Sequence, residues 1–241
     1  MNVSVLLMTK EQYTNLCNII NKLSYVTPDV QIINSEVCQR SATNTYNIYA
    51  DFKQLGIEID NFGIIGLTVK FPLFKTLLDS TSDKFILDKQ DNKYIVTDTI
   101  SDIEITIPDF TNFTTRYDDK LKVDLNSYTF IASVELDKTL IKKLNNFTRI
   151  LSADTINIDI KDKKLTVNIM SKSKTQTAKL CSVDVDSSNY STTVDVECFK
   201  QSLGDSCTIN LYKKSEVACI VEIKTNLYGC DVSYKQVRKG G

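Results

Sequence analysis

The sequence predicts an α+β chain built from two copies of one domain, with antiparallel sheets as its main layers. Three observations predict it. Short runs of alternating apolar and polar residues, the pattern of half-buried antiparallel strands, recur along both halves. One amphipathic helix pattern stands near the start of each half, over residues 9–23 and 137–151. A shorter phrase, V-x-Φ-x-x-F-K-x-x-L with Φ apolar, occurs once per half. The predicted domains are 1–110 and 127–241, joined by a connector at 111–126.

Residues 3–8 read as a first strand, since their apolar run is too short for a signal peptide. Thr9 is placed to cap the helix over 9–23, and Gln12 sits where a capping box needs its second member. Tyr13, Leu16, Ile20 and Leu23 make its apolar stripe, with Glu11, Asn15, Asn18 and Lys22 opposite. Strand-like runs follow in VQII, TYNIYADF, IEI and GIIGLTV. Pro72 suits the first turn of a short helix, PLFKTLLDS, where its missing N–H would lack a partner anyway. KFILDK, KYIVTD and DIEITI then alternate as strands. Residues 109–126, DFTNFTTRYDDKLKVDLN, fit neither period and carry most of the local charge, as a connector would.

The second half repeats this order. A strand at 128–134 leads to the helix, which Asp137 can cap by accepting from first-turn N–H groups. The strands TINIDI, KLTVNIM, TAKLCSVDV and STTVDV come next, then a short helix ECFKQSLG, then CTINLY, ACIVEIK and CDVSYKQV. Residues agree as well as order. Val69, Phe71, Phe74, Lys75 and Leu78 match Val194, Val196, Phe199, Lys200 and Leu203 at an offset of 125, with Asp-Ser following both times. At an offset of 128, Tyr13 matches Ile141, Leu16 matches Leu144, and Ile19 matches Phe147. Joint agreement of order, spacing and residues indicates an internal duplication.

The helix of the second half has two chemically different faces. At 100° per residue, Leu140, Leu144, Phe147 and Leu151 share an apolar stripe. Lys138, Lys142, Asn145 and Arg149 lie opposite, with no carboxylate among them. Exposed helices usually mix charge signs, because Glu–Lys pairs four residues apart stabilise them. A face of cations and amides invites a polyanion.

Composition restricts the chemistry. The chain has 241 residues, 42% hydrophobic and 24% charged, which is ordinary for a globular protein. With 29 basic and 30 acidic residues the net charge is −1, so a polyanion surface must come from sorting charge in space. The seven cysteines lack metal-site or C-x-x-C spacing and read as reduced, buried thiols, consistent with a cytosolic setting. No run approaches a membrane span. There is no histidine and no phosphate-cradling glycine motif, and no carboxylate pair stands at catalytic spacing. Asp184 and Asp186 in SVDVDSS could share a strand face as metal ligands, but an exposed polar face explains them more simply. The expectation is a binding protein without catalysis, cofactor or metal.

These features together resemble the DNA polymerase sliding clamps, of the two-domain type found in phages, archaea and eukaryotes. The resemblance rests on the doubled helix–strands–helix–strands order and on the phrase opening each second helix. It rests also on FTRILSADTINIDIKDKKLTV and on the closing ACIVEIKTNLYGCDVSYKQVRK. It implies a homotrimeric ring of six domains, with two helices per domain lining the hole and antiparallel sheets outside. It implies double-stranded DNA, encircled without sequence preference, and a polymerase and clamp loader as partners. The Asn/Lys/Ile-rich, glycine-poor composition suggests an AT-rich genome, and the divergence from cellular clamps suits a viral or phage source, in host cytoplasm or a replication compartment.

Carried onto this sequence, the DNA-facing residues implied are Lys10, Asn15, Asn18, Lys22, Lys75, Lys138, Lys142, Arg149 and Lys200. Glu11, on the same face of the first helix, departs from that pattern. The partner-peptide groove implied is Leu121, Val123 and Leu125 in the connector, with Tyr234 and Val237 near the C-terminus. Ring closure would use edge strands, with TAKLCSVDV and KYIVTD as candidates. Two other readings remain open: a β-rich structural protein of a virion, and a clamp-fold factor used in transcription or for loading other proteins.

Overall fold

The computed structural model describes residues 4–27, 29–58, 65–68, 83–90, 93–98, 100, 104–108, 117–171, 173, 175–187, 189–199, 202–215 and 218–239. The chain divides into two compact units, residues 1–122 with 227–232, and residues 123–226 with 233–241. The division falls inside the connector segment.

In the first unit, β1 (Ser4–Thr9) runs into α1 (Lys10–Leu23). The capping box is complete: Gln12 N–H donates to Thr9 Oγ1 at 3.1 Å, and Thr9 N–H donates to Gln12 Oε1 at 2.9 Å. The Gln12 amide also donates to the carbonyls of Leu55 and Gly56, tying the helix start to a distant turn. Gly56 closes that turn at φ +68°, which glycine adopts without strain. α1 packs on β1 and on β6 (Lys84–Gln90), burying Tyr13, Leu16, Cys17, Ile19, Ile20 and Leu23. Tyr13 stacks against Phe85 with ring centroids 4.9 Å apart.

An antiparallel sheet runs in the order β1-β6-β7-β8, with β7 at Lys93–Asp98 and β8 at Glu104–Pro108. Of the expected edge strands, KYIVTD is therefore not an edge. It is β7, hydrogen-bonded to β6 on one side and β8 on the other, and among the described residues the edges are β1 and β8. Further antiparallel pairings among the described residues of the unit are β2 (Asp29–Ile32) with β5 (Ile65–Thr68), and β3 (Glu36–Arg40) with β4 (Asn47–Asp51). Residues 227–232 belong to the same unit, Asp231 N–H donating to Gln54 Oε1 at 2.8 Å. The expected helix PLFKTLLDS, including Lys75, lies outside the described residues.

In the second unit, β9 (Thr129–Leu136) leads to α2 (Lys138–Ile150). α2 packs across β10 (Ala153–Lys161), β11 (Lys164–Ser171) and β12 (Thr177–Asp184). These strands and β13 (Tyr190–Asp195) form an antiparallel sheet ordered β12-β11-β10-β13, with β12 at one edge. β9 pairs with β14 (Cys207–Ser215), and the order continues through β15 (Ala218–Leu227) to β16 (Cys230–Lys239).

In the second half the repeated phrase is a packing motif. Val194, Val196, Phe199 and Leu203 are all buried, so its spacing records which side chains enter the core. The expected helix ECFKQSLG appears as a 3-10 turn over Glu197–Phe199, and Lys200 lies outside the described residues. Phe199→Ala should destabilise the protein by about 3–5 kcal/mol through the cavity it leaves. Denaturant unfolding measures this, and a destabilisation below about 1 kcal/mol would mean that the motif is not core.

Candidate nucleic-acid interface

α2 begins at Asp137, whose Oδ1 accepts from Leu140 N–H at 2.8 Å. Its buried stripe is Ile141, Leu144 and Thr148, with Leu140, Phe147 and Leu151 half-buried along one margin. The stripe read from periodicity alone is thus rotated, because Thr148 takes a core position that its polarity conceals. The outward arc holds Lys138, Thr139, Lys142, Lys143, Asn145, Asn146, Arg149 and Ile150, all exposed. Lys143 adds a fourth cation at the edge of this face, and simple counting of basic residues along the helix would have included it.

The face lacks the features that would make it a stabilising surface. Lys138 and Lys142 are like charges four residues apart, an arrangement that costs a few tenths of a kcal/mol. No acidic residue follows the cap in the first turn to complement the helix dipole. Arg149 is placed well for the dipole, in the last turn. Lys138 pairs across space with Asp205 at 2.8 Å, both side chains being largely exposed.

α1 presents a narrower and less basic face. Lys10, Asn15, Asn18 and Lys22 are half-buried, while Glu11 and Asn21 are exposed. Cys17 is buried where the matching position of α2, Asn145, is exposed, so α1 has fewer outward positions to charge. Lys10 N–H donates to Asp83 O at 2.9 Å.

The connector has two differently anchored parts. In the first unit, residues 117–122 lie against β3 and β4. Asp118 N–H donates to Cys38 O at 2.9 Å, and Tyr117 N–H to the Gln31 side chain at 2.6 Å. Asn47 Nδ2 donates to Leu121 O at 3.3 Å, and Leu121 is buried. Lys122 is paired with Glu36, and with Asp119 at 3.0 Å, and lies near the faces of Tyr49 and Tyr117. Its ammonium is held well above the ordinary lysine range, first by Glu36. Asp119 is held below the ordinary carboxylate range, first by the Tyr117 hydroxyl and then by Lys122.

In the second unit, Val123 and Leu125 are half-buried. Lys235 reaches Val123 O at 3.4 Å and the buried Glu222 at 3.6 Å. Val237 is exposed, whereas Tyr234 is buried, its hydroxyl donating to Ser202 O at 3.3 Å. Leu121 and Tyr234, both expected in the peptide groove, thus face the interiors of their own units. Asp184 ends β12, and Asp186 lies beyond it, paired with Lys163 at 3.3 Å.

Doubled helix, sheets and connector have a counterpart among solved structures. Proliferating cellular nuclear antigen from Entamoeba histolytica aligns at a TM-score of 0.60, with 11% identity and 98% of each chain covered. The fold is that of a sliding clamp. PCNA from Thermococcus kodakaraensis aligns at 0.61 with 11% identity, over 98% of this chain and 99% of that one. The H. pylori beta clamp aligns at 0.60 with 12% identity, over 99% of this chain and 67% of that one. No family model matches the sequence, and no curated protein matches it. The clamp fold here is carried by packing positions rather than by sequence identity.

The connector cluster has a pH signature. Burial, then the hydrogen bond to Glu36, pushes the Tyr49 phenol up from 10.0 to about 12. A phenol raised on folding contributes its stability fully below the ordinary value and loses it as pH rises through the folded value. The fold around Tyr49 and Glu36 should therefore hold through neutrality and lose stability between about pH 10 and 12. The difference in tyrosinate absorbance between the native protein and Tyr49→Phe should titrate near the upper end of that window. Ionisation near 10 would contradict the cluster.

Proposed function

We propose that the chain is a DNA sliding clamp: three copies close a ring around duplex DNA and tether a polymerase as its processivity factor. The carrying observation is the exposed face of α2, with Lys138, Lys142, Lys143 and Arg149 on a chain of net charge −1. Such a face attracts phosphates by counterion release and reads no base edges, as sliding requires. Asn145 and Asn146 add neutral donors beside the cations. Lys10, Asn15, Asn18 and Lys22 of α1 contribute more weakly, and Lys75 and Lys200 are proposed on their places in the repeat.

Ring closure would join the edge strand β12 of one copy to the edge strand β8 of the next. A head-to-tail contact of this kind closes when its rotation divides the circle, here at three. Partner peptides would dock beside the connector, with Val123, Leu125 and Val237 offering apolar side chains and Leu121 and Tyr234 supporting them from the interior. The C-terminal region of FEN-1 bound to A. fulgidus PCNA, a structure with a TM-score of 0.57 at 10% identity, supports that expectation by likeness of fold. A clamp loader is expected as a further partner.

The test is charge reversal on α2. Lys142→Glu with Arg149→Glu should weaken binding to a short duplex at least about tenfold at low salt. It should also flatten the salt dependence by about 0.9 for each phosphate that is no longer neutralised. Native mass and circular dichroism should stay unchanged. Unaltered duplex binding in a folded double variant would contradict the assignment.

A further inference from the structure

Lys138 stands in the first turn of α2, where a cation opposes the helix dipole. Its ammonium is 2.8 Å from Asp205 Oδ2. Asp205 is held in place from both sides by one buried hydroxyl: Gly204 N–H donates to Thr225 Oγ1 at 3.2 Å, and Thr225 Oγ1 donates to Ser206 O at 2.8 Å. An Asp-Ser step also follows both copies of the repeat, directly as Asp79-Ser80 and one residue later as Asp205-Ser206. Nothing in phosphate attraction requires it, since a carboxylate at that place opposes the phosphate. Both members of the pair stay open to water, Lys138 at 60% and Asp205 at 78%, so the pairing exchanges easily.

We propose that Asp205 is an internal stand-in for a DNA phosphate, holding Lys138 when the surface is empty and releasing it when a phosphate arrives. This rests on the DNA-binding reading of α2. A phosphate oxygen offers Lys138 the same charge-assisted acceptor that the carboxylate does. Exchange of one for the other changes little in free energy, so each step of the duplex along the face meets a shallow well. Asp205 also keeps Lys138 oriented and limits the repulsion between Lys138 and Lys142 in the free protein. The residue sets how loosely the surface holds DNA.

The experiment measures fluorescence anisotropy of a short labelled duplex against the full chain over a range of salt concentrations. Asp205→Asn should bind about two- to five-fold more tightly than the native protein at low salt. Its log–log salt dependence should steepen by about one. In a Lys138→Gln background, adding Asp205→Asn should return most of that gain to zero, because the cation being released is gone. Native affinity and slope in a folded Asp205→Asn variant would overturn the proposal. So would a full gain that persists without Lys138, which would make Asp205 a diffuse repulsive charge. The Lys142→Glu/Arg149→Glu variant separates the two levels: weakened there but unchanged in Asp205→Asn, the interface stands and the stand-in falls. If the double reversal binds as well as native protein, both fall.

Discussion

The seating of α2 on its sheet is the constraint on which the functional geometry depends. Ile141, Leu144 and Thr148 must face β10, β11 and β12, so the remaining arc of the helix can only point outward. Whatever that arc carries becomes surface, and it carries cations and amides. Burial of each apolar side chain in the stripe contributes on the order of 1.5–3 kcal/mol, well above the few tenths that the Lys138–Lys142 repulsion costs. Hydrophobic seating therefore lets the helix hold a charge pattern that its own local electrostatics would not favour. A near-neutral chain can then present a basic surface by sorting its charges rather than by accumulating them.

The connector illustrates the same economy of constraint. A charged segment fitting no periodic pattern would be read as slack, yet residues 117–122 are fixed by backbone bonds to Gln31 and Cys38 and by the group around Lys122. Several of its charged and phenolic side chains satisfy one another there, so the segment needs little apolar burial beyond Leu121 to stay in place. Past Lys122 the anchoring changes to Lys235 and Glu222 within the second unit. This fixed backbone leaves Val123 and Leu125 half-buried at the surface.

Much of this was legible in the sequence, for physical reasons. Thr9 and Asp137 were readable as caps because orphan N–H groups demand an oxygen at that spacing. The helical wheel centred the stripe too far toward Leu140 and Phe147 and left out Ile141, which is buried like its match in the repeat, Tyr13. Thr148 was hidden because a threonine in a core stripe looks polar. β3 was missed in EVCQR, whose Val37, Cys38 and Gln39 are all buried and show no alternation. The burial of Leu121 and Tyr234 was not legible, because sequence shows that a side chain is apolar without showing which layer holds it. The pairing of Lys138 with Asp205 joins residues 67 positions apart and left no local signal.

Light-scattering mass at tens of micromolar protein tests the ring most directly. Three chains of 27.2 kDa predict a single species of about 82 kDa, unchanged by moderate salt because edge strands rather than surface charges would join the copies. A species that stays at 27.2 kDa, or an open series of ever larger assemblies, would contradict the account.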